Sequence, residues 1–201
     1  MAGRQIALER KTKETEVAIR LDLDPTKGGG GLAVSVSTGV PFFDHMLHSM
    51  SFHGGFSLQV TASGDLDVDA HHVVEDVGIV LGDCLFEAIQ ENSLLSRFGH
   101  AVVPMDDALA EVTVDAGGRS YCRFDAMFPQ DRVGDFDVWL LREFFTALAV
   151  RARINVHAAV RYGENSHHIA EALCKALGRA LGQAFQESPG QAPPSTKGRV
   201  V

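Results

Sequence analysis

Cysteine is scarce in this chain, and long apolar runs are missing. The three cysteines are scattered, odd in number and without a metal-binding spacing, so we expect buried, reduced thiols at Cys84, Cys122 and Cys174. No apolar run approaches the roughly 20 residues that cross a bilayer, and the N-terminal stretch lacks the apolar core of a signal peptide. These absences predict a cytoplasmic protein without a membrane partner.

Basic residues are outnumbered by acidic ones. Lysine and arginine total 18 against 26 aspartates and glutamates, which leaves a net charge of −8. Proteins that bind nucleic acid generally present a basic surface to its phosphates, so this balance argues against a nucleic-acid partner. Local basic clusters can still hold a small phosphorylated ligand. At 201 residues the chain is long enough for one domain, or two fused half-domains, with a proper core.

The chain contains one short motif twice, in which two adjacent histidines are followed by a glutamate four residues after the first. The copies are His71-His72-Val73-Val74-Glu75 and His167-His168-Ile169-Ala170-Glu171. Positions i and i+4 share one face of a helix, so the first histidine and the glutamate can chelate one ion. The second histidine lies about 100° further round the helix and would serve a different ion. Two copies therefore suggest two metals.

Hydrophobic periodicity divides the chain into two similar halves, at about residues 10–92 and 103–187, followed by a Pro- and Gly-rich tail at 188–201. Each half is predicted as strand, strand, helix, strand region, helix, which is an α+β fold built as a tandem repeat. In the first half we expect strands at 14–22, 32–38, 56–62 and 66–70, the first two as a hairpin, and helices from 41 and at 71–90. In the second half we expect strands at 108–115, 119–126 and 154–162, and helices at 137–150 and from 167.

The first helix of each half can supply one further ligand. His45 precedes the first motif by about the distance at which Glu143 precedes the second, and both have aromatic helical surroundings. A pseudo-twofold relation then gives two sites, one comprising His45, His72, His167 and Glu171 and the other His71, Glu75, Glu143 and His168. Nitrogen and oxygen ligands without cysteine fit Mn, Fe, Co, Ni or Zn, and four of them leave positions open for substrate on a six-coordinate ion. The alternative is that these polar residues only cap helices and face solvent.

With these motifs the chain resembles the imidazoleglycerol-phosphate dehydratase family over nearly its whole length. The resemblance rests on Phe43-Asp44-His45-Met46-Leu47, on both histidine motifs, on Gly118-Arg119 and on Gly163-Glu164-Asn165-Ser166. It implies helices packed between two four-stranded sheets, a homo-oligomer of 24 subunits, and two Mn²⁺ ions per active site at subunit contacts. Many members carry histidine where this chain has Glu143, and a carboxylate oxygen is also a good Mn²⁺ ligand.

The reaction implied by the resemblance is the dehydration of D-erythro-imidazoleglycerol phosphate to imidazole acetol phosphate in histidine biosynthesis, without an organic cofactor. A substrate imidazole held by two cations as imidazolate would expel the hydroxyl and leave a diazafulvene-like intermediate. Loss of the neighbouring proton would then give an enol that becomes the ketone. Glu14 would shuttle this proton, and the catalytic residues implied are Glu14, His45, His72 and Glu171. Without the resemblance, Glu14 is an ordinary surface carboxylate at the start of a strand.

The phosphate of such a substrate requires cationic donors. The substrate-binding residues implied by the resemblance are Glu14, His53, Arg97, Arg119, Lys175, Ser195 and Lys197. Lys175 has independent support, because it lies about two helical turns beyond His167 and therefore near the metal face. Ser195 and Lys197 belong to the tail, which we expect to become ordered over bound substrate.

Two other functions are open from the residues alone. A dinuclear metallohydrolase acting on a phosphate ester could use the same ligands, although such enzymes favour aspartate-rich sites. A non-enzymatic metal-binding or storage protein could use them too, but the basic residues would then have no phosphate to bind.

Overall fold

The computed structural model describes residues 4–27, 31–91 and 94–188, which form two halves with the same order of elements. The first half contains β1 (Gln5–Lys11), β2 (Thr15–Asp22), β3 (Val34–Ser37), α1 (Pro41–Gly54), β4 (Ser57–Gly64) and α2 (His71–Glu91). The second contains β5 (Phe98–Met105), β6 (Ala108–Asp115), β7 (Tyr121–Asp125), α3 (Leu140–Ala152), β10 (Asn155–Tyr162) and α4 (Ser166–Ala184). A short additional hairpin, β8 (Arg132–Val133) with β9 (Phe136–Asp137), precedes α3.

Strand order is the same in the two main sheets. The first sheet runs β1-β2-β4-β3 and the second runs β5-β6-β10-β7. In each sheet the first three strands are antiparallel, and the last pair, β4 with β3 or β10 with β7, is parallel. The prediction of an α+β fold made of two similar halves with two four-stranded sheets is confirmed.

The helices pack between the sheets and pair across the two halves. α2 covers the first sheet and α4 the second, while α1 packs against α4 and α3 packs against α2. A Cβ on Gly178 would lie 1.9 Å from the carbonyl oxygen of Met50, and a Cβ on Gly82 would lie 2.8 Å from that of Leu148. Only glycine permits such close backbone approach. Because the glycines are equivalent positions of α4 and α2, each helix pair is a copy of the other.

Two strand predictions are wrong. β3 does not form a hairpin with β2 but pairs in parallel with β4, a pairing that requires the intervening α1 as a crossover. Residues 66–70 alternate between apolar and acidic side chains, yet they form a turn and the entry to α2. The N–H of Val68 donates to the carbonyl oxygen of Asp65 (2.8 Å), and the Asp69 carboxylate accepts from the N–H of His71 (2.7 Å). Aspartate favours such turns and caps over strands.

Two further strands, β1 and β5, were not predicted, and both begin before the predicted limits of the halves. Each is an edge strand that buries little apolar side-chain surface: β1 buries only Ile6, and β5 buries only Gly99 and Ala101. Apolar periodicity is therefore weak in both, although each completes its sheet through a full antiparallel register.

All three cysteines are free, as predicted, and Cys84 and Cys174 are buried, but Cys122 is only partly buried, against the prediction. Burial raises the pKa of Cys84 and of Cys174 to about 12, which keeps these thiols protonated and unreactive. No described helix is long and apolar enough to cross a membrane.

One buried ion pair, between Arg4 and Asp24, joins the start of β1 to the chain after β2. It should make the free energy of unfolding depend on pH in the acidic range. Arg4 Nε lies 2.7 Å from Asp24 Oδ2, both side chains are 8% exposed, and Arg4 Nη1 donates to the carbonyl oxygen of Phe185. The guanidinium holds the pKa of Asp24 well below its usual range. A carboxylate with a depressed folded-state pKa stabilises the protein above its ordinary pKa, and this contribution is lost as the pH falls towards the folded-state value.

We therefore expect Asp24→Asn to lower the free energy of unfolding at neutral pH by about 3 kcal/mol, since it leaves a buried guanidinium unpaired. The difference from the wild type should stay constant down to about pH 4, the ordinary pKa of an aspartate, and shrink as the pH is lowered further. Urea denaturation at several pH values measures it. A difference that stays constant with pH would show that the ion pair is not its source.

Candidate metal centre

Three candidate ligands from α1 and α4 meet at the N-terminal ends of these helices. His45 Nε2 lies 3.5 Å and His167 Nε2 lies 3.4 Å from Glu171 Oε2. Within the described residues, this is the one group of three histidine, cysteine or carboxylate ligand atoms that lie within 4.8 Å of one another. Glu171 is buried, and Lys175 Nζ contacts its other oxygen at 2.8 Å. These three ligands, which we call the α1/α4 cluster, are spaced so that a single divalent ion could contact all of them.

Local sequence places the α1/α4 cluster. Pro41 occupies the first turn of α1, where the absent N–H costs nothing. Asn165 caps α4 by accepting from the N–H of His167 (2.9 Å), so the first turn of α4 begins at the histidine motif. The close contacts of Gly178 with Met50 and of Gly182 with Gly54 make the two helices run in the same direction, which brings their N-terminal ends together.

The α2/α3 pair repeats part of this arrangement. His71 Nε2 lies 3.9 Å from Glu75 Oε2, and Asp69 caps α2 at the N–H of His71 as Asn165 caps α4. Glu143 precedes Leu148 by the same number of residues as His45 precedes Met50, so α3 carries it at the position equivalent to His45. In the described structure, however, Glu143 does not close a group of three with His71 and Glu75.

The second histidine of each motif is hydrogen-bonded to an aspartate and does not belong to the α1/α4 cluster. His72 Nδ1 lies 3.0 Å from Asp65 Oδ2, and His168 Nδ1 makes a short hydrogen bond to Asp107 Oδ1. These hydrogen bonds are the largest cause of the raised pKa of both histidines. An imidazole whose Nδ1–H is held by a carboxylate presents Nε2 as a ligand, which is the usual arrangement around protein-bound metals.

The predicted four-ligand sets are thus divided. His45, His167 and Glu171 come together, and His71 is near Glu75, but His72 and His168 do not join the cluster of the same chain. Sequence reasoning missed the two aspartates. Asp107 could have been found from the repeat, because it directly precedes β6 as Glu14 directly precedes β2. Asp65 lies between the strands predicted at 56–62 and 66–70, directly before the second of them.

Glu14 lies in the turn between β1 and β2, close to His72. Its side chain is 60% exposed, and Oε2 lies 3.9 Å from His72 Nδ1. Asp107 occupies the equivalent turn between β5 and β6 and is bound by the N–H groups of Glu164 and Asn165 as well as by His168. The hydrogen bond from His168, followed by that from the N–H of Glu164, holds the pKa of Asp107 well below its usual range.

The residues predicted to bind substrate are spread over several elements. Arg97 has a positive φ of 69° and makes two hydrogen bonds to Asp115, at 2.7 and 3.2 Å. Arg119 is exposed before β7. His53 ends α1, where burial first, and then the charges of Lys175 and Arg179, lower its pKa. Ser195 and Lys197, and with them the predicted covering of substrate by the tail, lie outside the described residues.

A cavity of about 950 Å³ opens beside the α1/α4 cluster. His45 and His167 line one wall, the turn before α2 lines another, and the β8–β9 hairpin with Arg132 lines a third. This volume lies in the range of small-molecule sites. The fold and this site define a class: a tandem-repeat α+β protein with a histidine–carboxylate cluster suited to a divalent cation at α1/α4, and a histidine–glutamate pair at the equivalent place of α2.

Comparison with known proteins identifies the family. Residues 38–181 match the family model of imidazoleglycerol-phosphate dehydratase. The chain is 51% identical over 201 residues to an imidazoleglycerol-phosphate dehydratase from Anaeromyxobacter sp., with 99% of this chain and 93% of that protein covered. It is 48% identical over 198 residues to one from Lacticaseibacillus casei, with 98% and 100% covered.

Solved structures agree with this comparison. The imidazoleglycerol-phosphate dehydratase of Staphylococcus aureus superimposes with a TM-score of 0.81 at 38% identity, over 92% of this chain and 99% of that one. The enzyme from Pyrococcus furiosus gives a TM-score of 0.82 at 38% identity, over 96% and 99%. The chain belongs to the imidazoleglycerol-phosphate dehydratase family and is therefore a hydro-lyase. The predictions of family and enzyme class are confirmed.

Proposed function

We propose that the chain dehydrates imidazoleglycerol phosphate to imidazole acetol phosphate in histidine biosynthesis, with two bound Mn²⁺ ions per active site. The observation that carries this proposal is the α1/α4 cluster, because in a member of this family it brings His45 of the first half to His167 and Glu171 of the second, beside a cavity of suitable size. The donor set fits the metal, since imidazole nitrogens and carboxylate oxygens without sulfur suit Mn²⁺ and its neighbours in the first transition row.

We further propose that each active site is shared between copies of the chain. The α1/α4 cluster has three ligands and lacks His72, whose Nε2 projects from the start of α2. If His72 of a second copy completes this cluster, the adjacent His71 of that copy also lies near the cluster. Glu75, which His71 contacts, and Glu143 on the neighbouring α3 would then lie there too. His168, adjacent to His167, can then complete the second ion. One site would thus combine α1 and α4 of one copy with α2 and α3 of another, which would require a homo-oligomer; we propose the 24-subunit assembly that the family resemblance implies.

In this reaction, different residues of the chain would bind the metal ions, orient the histidine ligands and transfer the proton. His45, His167 and Glu171 would hold one ion. Bound ions would supply positive charge that favours loss of the ring proton of the substrate imidazole to solvent and departure of the neighbouring hydroxyl as hydroxide. Asp65 and Asp107 orient His72 and His168 through their Nδ1 atoms. The Glu14 carboxylate, exposed and next to His72, would remove the proton from the carbon beyond the departing hydroxyl and return one to the enol.

Cationic side chains would hold the phosphate at the other end of the substrate. Lys175 is one helical turn from Glu171 and contacts it at 2.8 Å, so its ammonium lies next to the α1/α4 cluster. His53 is close enough to Lys175 for the ammonium charge to contribute, after burial, to the lowered pKa of the imidazole. Arg97 and Arg119, together with Ser195 and Lys197 of the tail, complete the set on the basis of the family resemblance.

Turnover tests this function directly. Purified, Mn-loaded protein incubated with imidazoleglycerol phosphate should produce the absorbance of the enol and ketone. Release of phosphate from general esters without this product would favour a metallohydrolase. Metal uptake without any turnover would favour a storage protein. Either result would contradict the proposal.

Glu143 is the ligand that most needs a separate test. If it binds the second ion, Glu143→Ala should lower the bound metal from two ions towards one per subunit, because the remaining ligands are too few to hold it at the same affinity. Elemental analysis after dialysis measures the ratio. Arg142→Ala, an exposed neighbour on α3, serves as the control. An unchanged ratio in Glu143→Ala would exclude it as a ligand.

A further inference from the structure

The turn that carries Glu14 is fastened to α2 by a buried carboxylate, Asp76. The hydroxyl of Thr15 donates a short hydrogen bond to Asp76 Oδ2, and Arg10 Nη1 lies 2.7 Å from the same oxygen. Thr15 and Asp76 are only 4% and 8% exposed. Asp76 directly follows Glu75 on α2, so this contact joins the Glu14 turn to the helix that carries the first histidine motif.

The backbone of the turn is held from its other sides as well. Thr12 Oγ1 accepts from the N–H groups of Glu14 (3.1 Å) and Thr15 (2.9 Å), and the N–H of Thr12 donates to the carbonyl oxygen of Thr15. The N–H of Asp65 donates to the carbonyl oxygen of Glu14 (3.2 Å). Both polar groups of the Glu14 backbone are thereby hydrogen-bonded, while its side chain stays 60% exposed.

The second half of the chain lacks this network. Ala108 stands in β6 where Thr15 stands in β2, and Ala172 stands in α4 where Asp76 stands in α2. The carboxylate at the equivalent of Glu14, Asp107, is instead fixed through its own oxygens by His168 and two backbone N–H groups. In the first half, hydrogen bonds fix the backbone of Glu14, and among the described residues none is made by its carboxylate oxygens. A fixed backbone with available oxygens is what a proton shuttle requires.

We propose that Asp76, acting through the hydroxyl of Thr15, is a positioning residue that holds the Glu14 carboxylate beside His72 in its reactive position. The inference rests on the proposed function, in which Glu14 moves the proton. Displacement of a catalytic group by about 1 Å can lower the rate about 100-fold. Asp76 therefore contributes to turnover without touching the substrate.

Substitutions at Thr15 separate positioning from packing. Thr15→Val keeps the shape of the side chain and removes the hydroxyl, so kcat should fall about 10- to 100-fold while KM changes less than about 3-fold and the bound metal stays at two ions per subunit. Thr15→Ser keeps the hydroxyl and loses a methyl group, and should recover most of kcat. If Thr15→Val does not fold, Thr15→Ala replaces it, because the second half already uses alanine there.

A double variant identifies the group through which Thr15 acts. In Glu14→Gln protein, adding Thr15→Val should lower kcat no further, since the carboxylate to be positioned is already absent. Lys11→Met, which removes an exposed ion pair with Glu16 near the same turn, is the control and should behave as the wild type. Two results with an active wild type would overturn the positioning role alone. One is a Thr15→Val protein that is as active as the wild type, and the other is a Thr15→Ser protein that is as impaired as Thr15→Val. A wild type without turnover would overturn the proposed function, and the positioning role with it.

Discussion

Replacing Glu14 by glutamine is expected to lower kcat by about 10²- to 10⁴-fold, the usual contribution of a general acid–base group, while the metal content stays unchanged. The amide keeps the size of the side chain and its place in the turn between β1 and β2 but cannot accept a proton. Glu14 Oε2 is 3.9 Å from Nδ1 of His72, a predicted metal ligand, but Glu14 is not itself a predicted ligand. Steady-state kinetics with elemental analysis of the same sample measures both quantities.

The chain offers a matched control for this substitution two residues away. Glu16 is also exposed and pairs with Lys11 on the outer face of the first sheet, so Glu16→Gln removes the same charge two residues further along the chain. This variant should retain full turnover. If Glu14→Gln and Glu16→Gln have the same kcat, Glu14 does not shuttle the proton.

Replacing Glu171 by alanine should abolish the binding of one of the two metal ions, and turnover should be lost with it. Glu171 is the common partner of His45 and His167, at 3.5 and 3.4 Å, and it is buried against Lys175. Loss of a group that only orients a ligand already weakens metal binding about 10- to 100-fold, so loss of the ligand itself should exceed this. Elemental analysis and isothermal titration with Mn²⁺ give the stoichiometry and affinity.

Glu87→Ala provides the comparison, because Glu87 is an exposed glutamate on α2 away from the motif. Its metal content and kcat should equal those of the wild type. Two ions retained by Glu171→Ala would mean that the α1/α4 cluster is not a metal site.

Side-chain patterns predicted the parts of the fold in which local sequence decides the outcome. α2 and α4 have strong apolar periodicity, and β6 alternates along its whole length, so their limits were close to those observed. β3 could not be assigned to a partner from its sequence, because Val34 and Val36 would serve either an antiparallel or a parallel neighbour. The choice is made by distant residues in α1 and β4.

The candidate site shows the same division between local and distant information. The i, i+4 spacing was sufficient to predict that His167 and Glu171 share a face, and the repeat between halves related His45 to Glu143. The spacing could not reveal that Asp65 and Asp107 hold the second histidines, since each contact depends on a loop folding back onto a helix. Nor could it reveal that His72 stays apart from the α1/α4 cluster of its own chain.

The most direct test is a mixture of two inactive variants, His72→Ala and Glu171→Ala, co-expressed with different tags and purified through both. If each site combines α1 and α4 of one copy with α2 and α3 of another, about a quarter of the sites in a mixed oligomer receive both intact parts. Turnover of imidazoleglycerol phosphate should then recover to about a quarter of the wild-type value, while each variant alone stays inactive. Doubly tagged oligomers that form but remain inactive would contradict a site shared between copies.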